Sequence, residues 1–131
     1  MALKTNERGA VAVELALVLP ILILLMFGII EVGRAYNAQV TLTSAAREAV
    51  RVVAIGKNDA AAINKAITVA EVLNPDLASG NFTISRSPGG AANTCPANST
   101  VTVTISYTMT TLTGIATPFS LRGKGVMLCG G

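Results

Sequence analysis

Residues 10–30 read AVAVELALVLPILILLMFGII, twenty-one positions with a single charge at Glu14. About twenty apolar residues wound as a helix cross the hydrocarbon core of a bilayer, so this stretch predicts a transmembrane helix. A buried core helix is the competing reading. It fails on volume, because the roughly seventy-five residues beyond position 56 are too few to wrap a cylinder that is apolar on every side. A cleaved secretory signal would have an apolar run of only about 7 to 15 residues and then a small-x-small site. Here the run is longer, and EVGRAYNAQ, with Glu31, Arg34 and Tyr36, follows it. Lys4 and Arg8 precede the run and place its N-terminal side in the cytoplasm, with Arg34 beyond the far end opposing that bias.

Helical periodicity continues past the apolar run. Val32, Tyr36, Gln39, Leu42, Ala46, Ala49, Val50 and Val53 recur at spacings of three and four, which predicts one helix from Ala10 to Ile55. At 1.5 Å per residue such a helix is roughly 70 Å long, with Gly56 placed to end it in a left-handed cap. Pro20 removes one hydrogen bond in mid-span and is expected to kink the helix there. A second helix is expected from a cap at Asn58 or Asp59 through AAAINKAITVAEVL to Asn74 and Pro75, with Ile63, Ile67, Ala70 and Leu73 buried.

Beyond Gly80 the period becomes two. In VTVTISYTM, Val101, Val103, Ile105, Tyr107 and Met109 alternate with Thr102, Thr104, Ser106 and Thr108, as in a strand with one wet face. Phe82 and Ile84 suggest a shorter strand before it. Phe119, Leu121 and Met127, with Ser120, Arg122 and Lys124 outward, suggest one after it. SPGGAANTCPANS, residues 87–99, has no apolar period and reads as an exposed loop. The expected fold class is α+β. A long N-terminal transmembrane helix continues as a stalk into a small domain with one helix and an antiparallel sheet of about three strands.

Composition narrows the function. With 131 residues, 13% charged, a mean hydropathy of +0.58 and a formal charge of +3, the chain has room for one small domain and one span. Its ten Lys and Arg are scattered, which argues against nucleic acid. There is no His, and two Cys are too few for a zinc site made by protein ligands alone. Ser and Thr have no His to activate them, and no GxSxG, P-loop or Rossmann glycine pattern occurs. Asp59, Glu71 and Asp76 read as caps or solvated positions on a helix. No catalytic residue, metal site or cofactor is expected.

Cys95 lies in the loop and Cys129 near the end of the sequence, both on the side expected to face outward, where oxidation is permitted. A disulfide between them is the natural pairing, and two unpaired thiols are the alternative. Glu14 stands out more, because a carboxylate within a span costs about 2.5 to 3.5 kcal/mol and usually has a partner. It is the fifth residue counted from Ala10, after a short basic stretch that ends in Arg8 and Gly9.

That arrangement, ERG followed by AVAVE, resembles type IV prepilins. Over RGAVAVELALVLPILILLMFGIIEVGRAYNAQVTLTSAAREAVR, from Arg8 to Arg51, it resembles the TadE-like family of tight-adherence pilus pseudopilins more closely. The shared features are Gly9, Glu14, Pro20, the exit motif GIIEVGR with Glu31 and Arg34, and AAREAVR with Arg47. Ala10 stands where the first mature residue of ordinary type IV pilins is often aromatic.

The resemblance implies a leader over 1–9, cut between Gly9 and Ala10 by a prepilin peptidase. It also implies a transmembrane helix over 10–30, an extramembrane continuation over 31–56 and an exported domain over 57–131. The implied partners are that peptidase, other pilins or pseudopilins, an inner-membrane assembly platform and a cytoplasmic assembly ATPase. The implied role of Glu14 is to pair with the new N-terminus of a neighbouring subunit. The implied location is the inner membrane, N-terminus cytoplasmic, with the remainder periplasmic or extracellular and open to inclusion in a pilus. An unprocessed single-pass anchor with a ligand- or surface-binding outer domain is the rival reading.

Overall fold

Apolar side chains dominate the first third of the chain, and within a bilayer a single run of that length satisfies its backbone as a helix. The computed structural model describes residues 5–114 and 116–130. Within it, α1 runs Thr5–Gly56 and passes through Pro20. Its most apolar eighteen-residue window has a mean hydropathy of 2.8 with none of it buried, so α1 is long and apolar enough to cross a membrane. This fits a single-pass membrane protein. Lys4, one of the two cations that argue for a cytoplasmic N-terminus, lies outside the described residues.

The chain divides into two compact units, residues 1–34 and 35–131. The first is the N-terminal part of α1. In the second, the rest of α1 is the central element of the core and not a bare stalk: Ala38, Leu42, Ala45, Ala46, Ala49, Val50, Val53 and Ala54 are all buried. The expected stripe is buried from Leu42 onward, widened by Ala38, Ala45 and Ala54, and departs from the expectation at its start. Leu42 to Val53 lie on it, whereas Tyr36 is 73% exposed and Val32 67% exposed. Small residues take their place because the sheet comes close to the helix backbone. The left-handed turn after α1 falls on Lys57, φ 50°, and not on Gly56.

Asn58 caps the second helix, α2 (Asp59–Val69), its side chain accepting from the Ala61 N–H at 2.9 Å. α2 stops four residues earlier than expected, with the Ala70 N–H reaching the carbonyls of Ala66 and Ile67. Its buried face is Ala62, Ala66 and Ala70, continued by Leu73, while Ile63 and Ile67 are only half-buried. Alanines let the short helix sit close to the core with its larger residues at the margin.

Three antiparallel strands follow in the order of the sequence: β1 (Phe82–Ser87), β2 (Thr100–Met109) and β3 (Phe119–Leu128). The alternation in β2 matches the expectation, with Val101, Val103, Ile105, Tyr107 and Met109 buried. In β3 the inward positions between Leu121 and Met127 are Gly123 and Gly125. A Cβ on Gly123 would sit 2.5 Å from the Leu42 carbonyl carbon, and one on Gly125 would sit 2.7 Å from that of Ala46. These glycines let α1 lie directly on the strand.

The loop between β1 and β2 is anchored more firmly than an exposed excursion. Arg86 pairs with Asp59 at the start of α2 and donates from Nε to the Thr94 carbonyl at 2.7 Å. The Asn93 side chain accepts from the Asp59 N–H at 2.8 Å. Arg86 is well buried, so the pair ties α2, β1 and the loop to one another, and losing either partner would leave a buried charge. Cys95 and Cys129 are both buried and joined, with Cα atoms 5.2 Å apart, within the range a disulfide requires. The Cys129 N–H donates to the Ser99 carbonyl at 2.8 Å, holding the same two segments together.

Closing a loop of this length removes about 4 kcal/mol of chain entropy from the unfolded state. Non-reducing peptide maps of exported protein should therefore show the Cys95 and Cys129 peptides linked. The Cys95→Ala/Cys129→Ala variant should unfold in urea with about 2 to 5 kcal/mol less stability. Two free thiols after rapid alkylation would refute the pairing.

Candidate functional site

Gly9, Ala10 and Glu14 all lie in the first turns of α1, which begins before the Gly9–Ala10 bond, not after it. Ala10 and Glu14 are four residues apart and so share a helix face one turn from each other. Glu14 is exposed beside Val11, Leu15 and Val18, an apolar setting for a carboxylate. Among the described residues no ion pair reaches it.

Gly9 has no structural reason to be glycine. A Cβ there would meet nothing within 4 Å, and the residue has no positive φ. Glycine inside a helix costs about 1 kcal/mol relative to alanine, so the position is weakened without a packing benefit.

Pro20, six residues beyond Glu14, withholds an N–H from the carbonyl of Ala16. At the far end of the apolar run Glu31 and Arg34 approach to 3.6 Å across one turn, so the two charges of the exit motif meet each other. Further along, Arg51 donates to Glu48 at 2.6 Å. This hydrogen bond holds the Glu48 carboxyl below the usual carboxylate range. The pair is exposed and contributes little to stability.

Among the described residues no group of three or more His, Cys, Asp or Glu is arranged to hold a metal ion. Sequence reading did not single out Gly123, Gly125 or Arg86, and it took Asp59 only as a cap or solvated position, not as the partner of Arg86. The signal for the glycines was their period-two placement between Leu121 and Met127; for Arg86 it was an inward register two residues after Ile84.

Comparison of the chain with curated proteins and with solved structures returns no match. One family model does match, over residues 9–51 and under the description TadE-like protein. That span starts at Gly9, takes in Glu14, Pro20 and the Glu31–Arg34 pair, and continues through the alanine-lined face of α1 into the second unit. Over Gly9 to Arg51, about a third of its length, the chain is similar to the TadE-like family.

Proposed function

We propose that the protein is a pilin-like subunit of a tight-adherence pilus system that acts by helix packing and not by turnover. Residues 1–9 are its leader, and a prepilin peptidase cuts between Gly9 and Ala10. The mature helix remains in the inner membrane, N-terminus cytoplasmic, with the α+β unit on the outer side until other pilins and the assembly platform take it up. The observation that carries this reading is the set Gly9, Ala10 and Glu14 at the head of the TadE-like segment, a structurally unneeded glycine followed one turn later by an exposed carboxylate in an apolar helix.

Cutting after Gly9 makes a charged amine at Ala10, one turn from Glu14, so each helix then carries a complementary pair of charges. Neighbouring helices can satisfy those charges reciprocally, and a low dielectric strengthens the attraction. Pairing of this kind sets register: an apolar helix slides freely along another, whereas one buried ion pair selects a single offset.

Gly9→Val tests the reading. Its side chain meets open space, so the helix and its insertion should be unaffected, while the longer, uncut chain should accumulate on gels of membranes that contain active prepilin peptidase. Normal shortening of the variant would count against the assigned cleavage site.

A further inference from the structure

The sheet has two outer strands, and their free edges differ. In β1 the edge is closed by local turns: the Phe82 N–H donates to the Ser79 carbonyl, and the Arg86 carbonyl accepts from the Gly89 N–H at 3.0 Å. The edge of β3 is open. Cys129 donates its N–H to the Ser99 carbonyl, its opposite number in the register that sets Leu128 against Thr100. Opposed residues of an antiparallel ladder alternate between those that exchange hydrogen bonds and those that aim their N–H and C=O away. The odd-numbered residues of β3 therefore bond to β2, and Ser120, Arg122, Lys124, Val126 and Leu128 turn their backbone groups to the free edge. Gln39 fits this geometry, reaching the Arg122 carbonyl from α1 at 2.7 Å. Beyond it, among the described residues, no hydrogen bond closes that edge from Lys124 to Leu128.

An open edge is a template for another strand, and proteins commonly guard it with proline, a bulge or charge. β3 pairs with β2 without a bulge over its whole length and has no proline inside it. Its charges are Arg122 and Lys124, both exposed, on the face of the sheet that also carries Val126, 54% exposed, and Leu128, 62% exposed. None of the three strands contains an acidic residue. The edge thus presents two cations and then two apolar side chains, beside unpartnered backbone groups.

We propose that the outer edge of β3, from Lys124 to Leu128, is a docking site for an extended acidic segment of another protein, which adds a fourth strand to the sheet. Main-chain hydrogen bonds supply the affinity and alternate side chains the selectivity. Apolar residues of the incoming strand lie beside Val126 and Leu128, and carboxylates further along it lie beside Lys124 and Arg122. A second copy is not the occupant, because neither free edge of this sheet offers a carboxylate. No register of a second β3 sets an acid against Arg122 or Lys124, and Arg86 is the only charge in β1. The two cations therefore repel self-pairing and leave the edge to an acidic strand.

The test mixes the full chain, in a non-ionic detergent, with the dye-labelled, end-blocked peptide VTVTETE. Antiparallel to β3, its valines fall opposite Leu128 and Val126 and its glutamates opposite Lys124 and Arg122. Fluorescence anisotropy should show saturable binding, and amide exchange at Val126 and Leu128 should slow while exchange at Phe82 and Ile84 stays the same. N-methylation of the valine opposite Val126 removes one donor and should weaken binding by about tenfold. VTVTKTK should bind several-fold more weakly, and Arg122→Glu/Lys124→Glu should reverse that preference. Val126→Pro deletes an N–H that β2 does not use and should abolish binding; the N-methylated peptide reads the same pairing should that chain not fold. Failure of VTVTETE to bind, or equal binding of the N-methylated peptide or of VTVTKTK, would overturn the proposal. Slowed exchange along the β3 edge on concentrating the chain alone would overturn it too, by showing a second copy as the occupant.

Discussion

Glu14→Ala will insert into membranes at normal levels and lose its leader, yet fail to enter filaments. Replacing a carboxylate in an apolar helix makes the segment more apolar and removes a cost of about 2.5 to 3.5 kcal/mol, so insertion is favoured if it changes at all. Under the proposed function, what the variant loses is the partner of the Ala10 amine. An unpaired charge where helices pack costs about 3 to 5 kcal/mol, enough to abolish an assembly contact that recurs at every subunit. Glu14→Gln keeps the shape and hydrogen-bonding capacity without the charge, and should be nearly as defective. Crosslinking to other pilins and counts of surface filaments read the result. Normal filaments from either processed variant would reduce Glu14 to a carboxylate that merely reaches water.

Gly123→Ala and Gly125→Ala will each weaken the second unit by about 1 to 3 kcal/mol, because their new Cβ atoms collide with helix backbone, which has no rotamer with which to yield. The double variant should exceed either single one and depart from simple additivity, since both substitutions push on the same turns of α1. Gly80→Ala is the control. Its Cβ meets open space, and its effect should stay within about 0.5 kcal/mol. Urea titration of the full chain in detergent, followed by far-ultraviolet circular dichroism, gives the comparison. Equal stability of all four chains would mean that α1 does not lie on β3 as described.

These two predictions separate what the sequence made legible from what it did not. The span is legible because it needs only length and apolarity, and β2 because apolar and hydroxyl-bearing side chains alternate without a break from Thr100 to Met109. Glu14 announces itself by its cost. Gly123 and Gly125 do not, because an inward glycine adds nothing to an apolar pattern; its value is the space it leaves, and that space has meaning only once Leu42 and Ala46 are known to lie above it.

The same close approach explains the small residues along the buried stripe of α1. Periodicity marked Ala46 and Ala49 together with Val32 and Tyr36; the sheet covers those alanines and adds Ala38 and Ala45, while Val32 and Tyr36 stay exposed. In α2 the alanines again displace the isoleucines. The Asp59–Arg86 pair joins residues 27 apart in sequence on different kinds of element, and neither local period contains that information. Strand order likewise follows from which edges meet.

The central claim is that this chain is cut and used as a pilin-like subunit, and the N-terminal residue of the protein recovered from membranes with an active prepilin peptidase tests it most directly. Mass spectrometry should find the mature chain beginning at Ala10, with or without a methyl group on its amine. Protein that begins only at Met1 or Ala2 would contradict the account and leave an uncleaved anchor in its place.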